Sequence, residues 1–316
     1  PMTRSTTAPL FKKAKSAVLN LYIPNESFNF DKPDQHIGMI YHSVRMTLID
    51  EFACAVVKGA PAGNRNGFGS FYDAAVQFDD GSEATVRDPM AWSMPYGIYA
   101  PAELYDVETV RSERADAAHF RQLEKEATER EDGRVGPSVN LLEIHTATAT
   151  GEGTLQSLAA RYRRIGKAIE KGSELAPDEK NLAGFDAIEL MPLEPVIQHP
   201  DHHRFWLPVN SPEEDGDEIT VKLKKPDVIN WGYDIVLFGS AAVNPSILST
   251  GRPHELLDLI ETLHNFPEKP IRVILDVVYG HSDNQGLNLL PYQFFAGANM
   301  YGQNIDFQNP LVRAMV

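Results

Sequence analysis

The side chains of this chain that could do chemistry cluster where apolar runs end. In ILDVVYGH, residues 274–281, a continuous apolar stretch leads into Asp276 and, five residues on, His281. Polar residues that close an apolar strand of a parallel α/β fold stand where ligands bind, so this carboxylate and imidazole are candidates for a binding site. His199, His202 and His203 in HPDHHRFWLP are of a type that binds metal. No carboxylate or fourth ligand accompanies them at a recognisable spacing, so a solvated loop is expected there and no metal site is assigned. The single cysteine, Cys54, lies in the apolar run EFACAVV and is expected to be a buried free thiol.

The elements that must position these residues follow from the pattern of apolar residues. Residues 37–88 alternate short apolar runs with turn signals such as GAPAGNRNG and DDG, the signature of a small antiparallel β domain, assigned to 1–101. Residues 102–132 are dense in Glu, Arg and Ala and read as a solvated helix whose charges form a wet face. With the turn GRVGPS this stretch makes a helical linker over 102–137.

From 138 to 316 apolar strands alternate with amphipathic helices, which indicates βα units and a parallel sheet. VNLLEIH, FDAIELMP and IRVILDVV are the strands. The first helix carries Leu155, Leu158, Tyr162, Ile165 and Ile169 at helical spacing, and the second carries Leu256, Leu257, Ile260 and Leu263. Three parallel strands cannot close a barrel of eight. They form either a small open α/β sheet or the opening of a (β/α)8 TIM barrel whose remainder lies elsewhere.

Motifs choose between these. ILDVVYGH resembles the first signature of the α-amylase superfamily, glycoside hydrolase family 13, which ends that family's third barrel strand. FDAIELMPLEP resembles its second strand, NWGYD the loop after it, and NIDFQNPLVRAMV the stretch before its fourth strand. LLEIHTATATGEGT resembles the first strand and turn of the trehalohydrolase and branching-enzyme subgroups. The likeness spans 138–316, and within the superfamily the GANMYGQNIDFQNP run, with DNQ after His281, is most similar to the glucosylglycerol hydrolases.

The resemblance implies a fold, (β/α)8, and a reaction, hydrolysis of an α-glucoside with retention by two carboxylates about 5 to 5.5 Å apart. It places the nucleophile Asp and acid/base Glu after Val316, so no catalytic residue is assigned in this chain, and the 316 residues alone are expected to be inactive. It makes His281 a donor to sugar hydroxyls, Asp276 the holder of the polar network, and Tyr233 an aromatic platform for the apolar face of a pyranose. Trp231 and Asp234 join them as substrate-binding candidates, whereas Glu189 and Glu194 read as structural or as supports behind the residues that touch substrate. The long 195–230 loop is expected to overhang the pocket and supply Trp206 or Trp231 as a wall. Gly280 replaces the asparagine that ligates calcium in some members, so that site is expected to be absent. Asn230 stands where many exo-acting α-glucosidases have an aspartate.

The substrate suggested is glucosylglycerol, a compatible solute, cleaved to glucose and glycerol. The alternatives are an α-glucan-acting enzyme of branching or trehalohydrolase type and a non-catalytic carbohydrate-binding fragment. A net charge of −15 argues against nucleic acid and for a small neutral carbohydrate as partner, besides the remainder of its own barrel. No cofactor is implied. No apolar run nears the roughly 20 residues of a membrane span, and the polar N-terminal run does not read as a signal peptide. A cytoplasmic location is therefore expected.

Overall fold

The structure is a computed structural model and describes residues 13–50, 52–134, 136–137, 140–198 and 205–316, so His199, His202 and His203 lie outside the described residues. Strands β1 (Ala14–Pro24), β2 (Gln35–Arg45), β3 (Thr47–Ile49), β4 (Phe52–Cys54), β5 (Phe71–Phe78), β6 (Glu83–Val86) and β7 (Ala102–Glu103) come first. Helices α1 (Val107–Ser112) and α2 (Ala117–Glu129) precede β8 (Leu141–Ile144), α3 (Thr146–Ala149), α4 (Leu155–Glu170), α5 (Pro177–Gly184) and β9 (Ala187–Leu190). Then follow β10 (Trp206–Pro208), β11 (Glu218–Leu223), α6 (His254–His264), β12 (Arg272–Leu275), β13 (His281–Ser282), β14 (Phe295–Asn299), β15 (Gly302–Ile305) and α7 (Pro310–Met315).

The antiparallel sheet runs in the order β10-β11-β2-β1-β5-β6, with β7 also paired to β5. It is larger than the alternation over 37–88 predicts, because β10 and β11 come from the 195–230 segment. In β11 the alternation of buried Ile219, Val221 and Leu223 with half-buried neighbours is the period of a strand with one packed face. Trp206 is accordingly no pocket wall: it is buried, with its ring 4.9 Å from that of Phe71 and 5.9 Å from that of Tyr96. Cys54 also departs from expectation. The hairpin β3–β4 pairs only with itself, so all six of its residues, Cys54 included, are exposed.

The second sheet is parallel, in the order β12-β9-β8, with Leu142 beside Ile188 and Val273, and Ile144 beside Leu190 and Leu275. Its helix-facing side packs on α4 and α6. Helix α4 begins with a capping box between Thr154 and Ser157, and buries Leu155, Leu158, Tyr162 and Ile165, the face read from spacing. In α6 the buried residues are His254, Glu255, Leu259, Leu263 and His264, whereas Leu256, Leu257 and Ile260 are only half-buried. The reason is polar: the Glu255 carboxylate accepts hydrogen bonds from the backbone N–H groups of Ser249 and Thr250 and so turns its side of the helix inward. One continuous core joins both sheets, from Met39, Phe71 and Val221 to Ile188, Leu190 and Leu263.

Residues 102–132 are not one wet helix. Two of their carboxylates, Glu103 and Asp116, are fully buried. Glu103 on β7 receives both terminal nitrogens of Arg252, at 2.7 and 2.6 Å, together with the N–H of Gly69 and the hydroxyl of Ser93. The Arg252 guanidinium also lies 3.7 Å above the Phe68 ring and donates to the Gly67 carbonyl. Arg252 immediately precedes α6, so this pair ties the antiparallel sheet to the helix layer of the parallel one. Removing one partner leaves a buried charge alone: Glu103→Ala should lower unfolding free energy by about 3–5 kcal/mol in urea titration. The double variant Glu103→Leu with Arg252→Met should recover most of that loss.

Asp116 is held by Arg114, at 2.9 and 2.6 Å, and by Nδ1 of His264 at 2.6 Å, and the His264 ring stacks on that of His119 with centroids 3.8 Å apart. Burial pushes the proton affinity of both imidazoles below the ordinary histidine value; Asp116 opposes the shift most, with Glu261 and Glu126 behind it, while His264 acting on His119, Arg114 and Arg272 reinforce it. For Asp116 burial raises the carboxyl, but Arg114 and His264 outweigh it and hold it low. The unfolded chain therefore binds more protons at these histidines as pH drops through about 6.5, and stability should fall between pH 7 and 5. Asp116 adds to the loss only below about pH 4. Unfolding free energies measured across that range should be flatter for His119→Phe than for the parent.

Candidate functional site

Three of the five residues singled out in the sequence meet at the carboxyl ends of β9 and β12. The N–H of Asp276 still bonds to the Leu190 carbonyl, so the residue is fixed by the last rung of the parallel ladder. Its Oδ2 accepts the Tyr233 hydroxyl proton at 2.7 Å. Nε2 of His281 lies 3.1 Å from the Tyr233 carbonyl oxygen, which can only accept, so that nitrogen carries the proton. Tyr233 thus links the loop after β9 to both polar residues that follow β12.

The turn that delivers Tyr233 depends on Gly232. Its φ is 91°, and a Cβ there would sit 2.3 Å from the Pro192 carbonyl oxygen, so a side chain is excluded. The Asn230 side chain closes the turn by accepting the Gly232 N–H at 2.8 Å. Trp231, at the exposed corner, is 73% solvent-accessible. Asp234 stands apart from the cluster: its backbone carbonyl accepts from Ile197 N–H and its side chain is exposed.

Further polar groups at the same end escape a reading by strand ends alone. Glu143 on β8 and Glu189 on β9 are in register, and they face away from the helices, since their neighbours Ile144 and Leu190 belong to the core. Asp276 has the same parity along β12. The Tyr233 phenol is pushed up to about 12, first by its hydrogen bond to Asp276, then by desolvation and by the charges of Asp276, Glu143 and Glu189. His145, just past β8, donates from Nε2 to the Asn230 carbonyl at 2.8 Å and braces the Tyr233 turn. It ends an apolar run as Asp276 does, so the same signal could have found it. Glu194 is buried, with its carboxyl raised chiefly by desolvation, and accepts from Leu193 N–H at 3.1 Å and from Val278 N–H. It therefore clamps the loops after β9 and β12 together, in keeping with a structural reading.

A family described as hypothetical glycoside hydrolase 5 (GHL5) matches residues 6–316. The chain belongs to this family. No curated protein matches. Among solved structures it is similar to a pullulanase from Anoxybacillus sp. LM18-11, with 16% identity and a TM-score of 0.57 over 96% of this chain and 38% of that one. The type I pullulanase of Bacillus subtilis, complexed with maltose, matches with 17% identity and a TM-score of 0.53 over 95% and 37%. The catalytic module of the pneumococcal glycogen-degrading factor SpuA, in complex with an inhibitor, matches with 13% identity and a TM-score of 0.53 over 96% and 41%. The likeness is one of fold, of an α/β kind. This GHL5 chain spans about two fifths of the length of the structures it resembles.

In this cluster the Tyr233 ring lies beside the Asp276 carboxylate and the His281 imidazole, an apolar surface next to hydrogen-bonding groups. No group of three or more His, Cys, Asp or Glu side chains is placed to hold a metal among the described residues. Beside Gly280 a Cβ would meet nothing within 4 Å, so crowding does not account for the missing asparagine. No helix among the described residues is long and apolar enough to cross a membrane.

Because the Tyr233 hydroxyl donates to a charged group, a double-mutant cycle of Tyr233→Phe and Asp276→Asn should show coupling of about 1 kcal/mol in unfolding free energy. Partial exposure of the pair keeps this at the low end for such bonds. Additive effects of the two changes would show that the bond does not form in solution.

Proposed function

We propose that the full-length protein is a retaining α-glycoside hydrolase built on a (β/α)8 barrel, to which the parallel β8, β9 and β12 contribute. Its substrate is a small α-glucoside, glucosylglycerol, cleaved to glucose and glycerol. The observation that carries the reading is the joined cluster Tyr233–Asp276–His281 at the carboxyl ends of two parallel strands. Tyr233 supports the apolar face of the glucosyl unit, and Asp276 and His281 hold its hydroxyls. Trp231, exposed beside them, extends the apolar surface. Asp234 belongs to the same loop but its exposed side chain stands apart from the cluster.

The substrate choice rests on the GANMYGQNIDFQNP resemblance and on Asn230, whose side-chain oxygen is spent on the Gly232 N–H instead of gripping a terminal glucose. A second reading, action on an α-glucan, is favoured by the pullulanase-like fold; one such pullulanase is complexed with maltotriose. Assays of the full-length protein on glucosylglycerol, maltose, trehalose and soluble starch at equal glucosyl concentration separate the two. A site that hydrogen-bonds a glycerol hydroxyl should favour glucosylglycerol by about 10⁴ in kcat/KM. Equal or greater efficiency on maltose or starch would refute that choice while leaving a glycosidase, and inactivity on all four would leave only a binding role.

A further inference from the structure

The hairpin β14–β15 carries two large exposed side chains at its tip, Met300 at 86% and Tyr301 at 62% accessibility. Neither contributes to the core, yet the hairpin beneath them is fixed. Strand β15 pairs with β13 so that Asn304 lies opposite His281 and Gln303 opposite Ser282. The Tyr301 N–H is held by the Asn299 side chain at 2.8 Å, and Gln303 donates to the Asn284 side chain at 2.8 Å. Gly302 lies so close to β13 that a Cβ would approach the Ser282 carbonyl oxygen to 2.3 Å. The same backbone ladder therefore sets both His281 and the tip.

The result is a specific contact. The Tyr301 ring lies over the His281 ring, with centroids 5.3 Å apart and planes 31° from parallel. The imidazole thus has the Tyr301 ring as a tilted neighbour, while its Nε2 is engaged by the Tyr233 carbonyl. A unit bound against Tyr233 and His281 would have the Tyr301 ring beside it, on a hairpin whose backbone is held by these bonds.

We propose that Tyr301 is a specificity-determining residue that limits the unit following the glucosyl group to one smaller than a pyranose. This rests on the reading of the site as one for a small α-glucoside. A three-carbon polyol bends past the ring, whereas a second rigid sugar collides with it.

The test compares kcat/KM for maltose and for glucosylglycerol in the full-length parent, Tyr301→Ala and Tyr301→Phe. Taking the ratio of two substrates on one preparation removes any dependence on the folded fraction. In Tyr301→Ala the maltose-to-glucosylglycerol ratio should rise by at least about tenfold, the scale at which a hydrophobic pocket discriminates by size. Tyr301→Phe, which keeps the ring, should preserve the parent ratio. An unchanged or lower ratio in Tyr301→Ala would overturn the proposal, a lower one marking Tyr301 as a platform for a second sugar. If the parent itself prefers maltose or cleaves neither compound, the functional reading fails first, and this inference falls with it.

Discussion

The buried pair between Glu103 and Arg252 is the constraint on which the rest of the molecule hangs. It is bidentate, with side chains 0% and 4% exposed, and it joins the strand layer of the antiparallel sheet to the segment that starts α6. Burying two charges costs several kcal/mol per ion before their attraction is counted, so such a pair persists only where further hydrogen bonds complete it. Gly69, Ser93 and Gly67 supply them here. The arrangement fixes orientation more than it adds stability, because the donors and the acceptor match in only one geometry.

That orientation reaches the site. Helix α6 leads into β12, whose end presents Asp276, and α6 packs on α4, both helices sharing one core with β8 and β9. The strands β10 and β11 interrupt the chain between β9 and the Tyr233 turn, and their place in the antiparallel sheet makes that turn a return from a fixed point. A site formed by loops from separate strands gains precision from this, since each loop is anchored at both ends.

Within the site, the polar groups are arranged to position one another. Tyr233 gives its hydroxyl to Asp276 and its carbonyl to His281, His145 braces the turn behind it, and Glu194 clamps the two loops. Trp231 and Tyr301 stand exposed beside this network.

Tyr233 was legible only through the resemblance of NWGYD to a family loop, but the sequence alone determined the parallel strands, the buried face of α4 and the place of Asp276 and His281 at the end of an apolar run. Each is a local pattern: apolar periodicity, or polar residues closing an apolar run. It did not determine that Trp206 is core, that Cys54 is exposed, or that Glu103 and Asp116 are buried. Those depend on which distant segment packs against each residue: Phe71 on Trp206, Arg252 on Glu103 and His264 on Asp116, whereas among the described residues the β3–β4 hairpin forms a sheet with itself alone. A charged residue looks solvated in sequence whether or not its partner lies about 150 positions away, as in the pairs 103–252 and 116–264. Only the tertiary structure brings those partners together, and only it lays Tyr301 over His281, because that contact is set by the pairing of β13 with β15 and not by any periodicity along the chain.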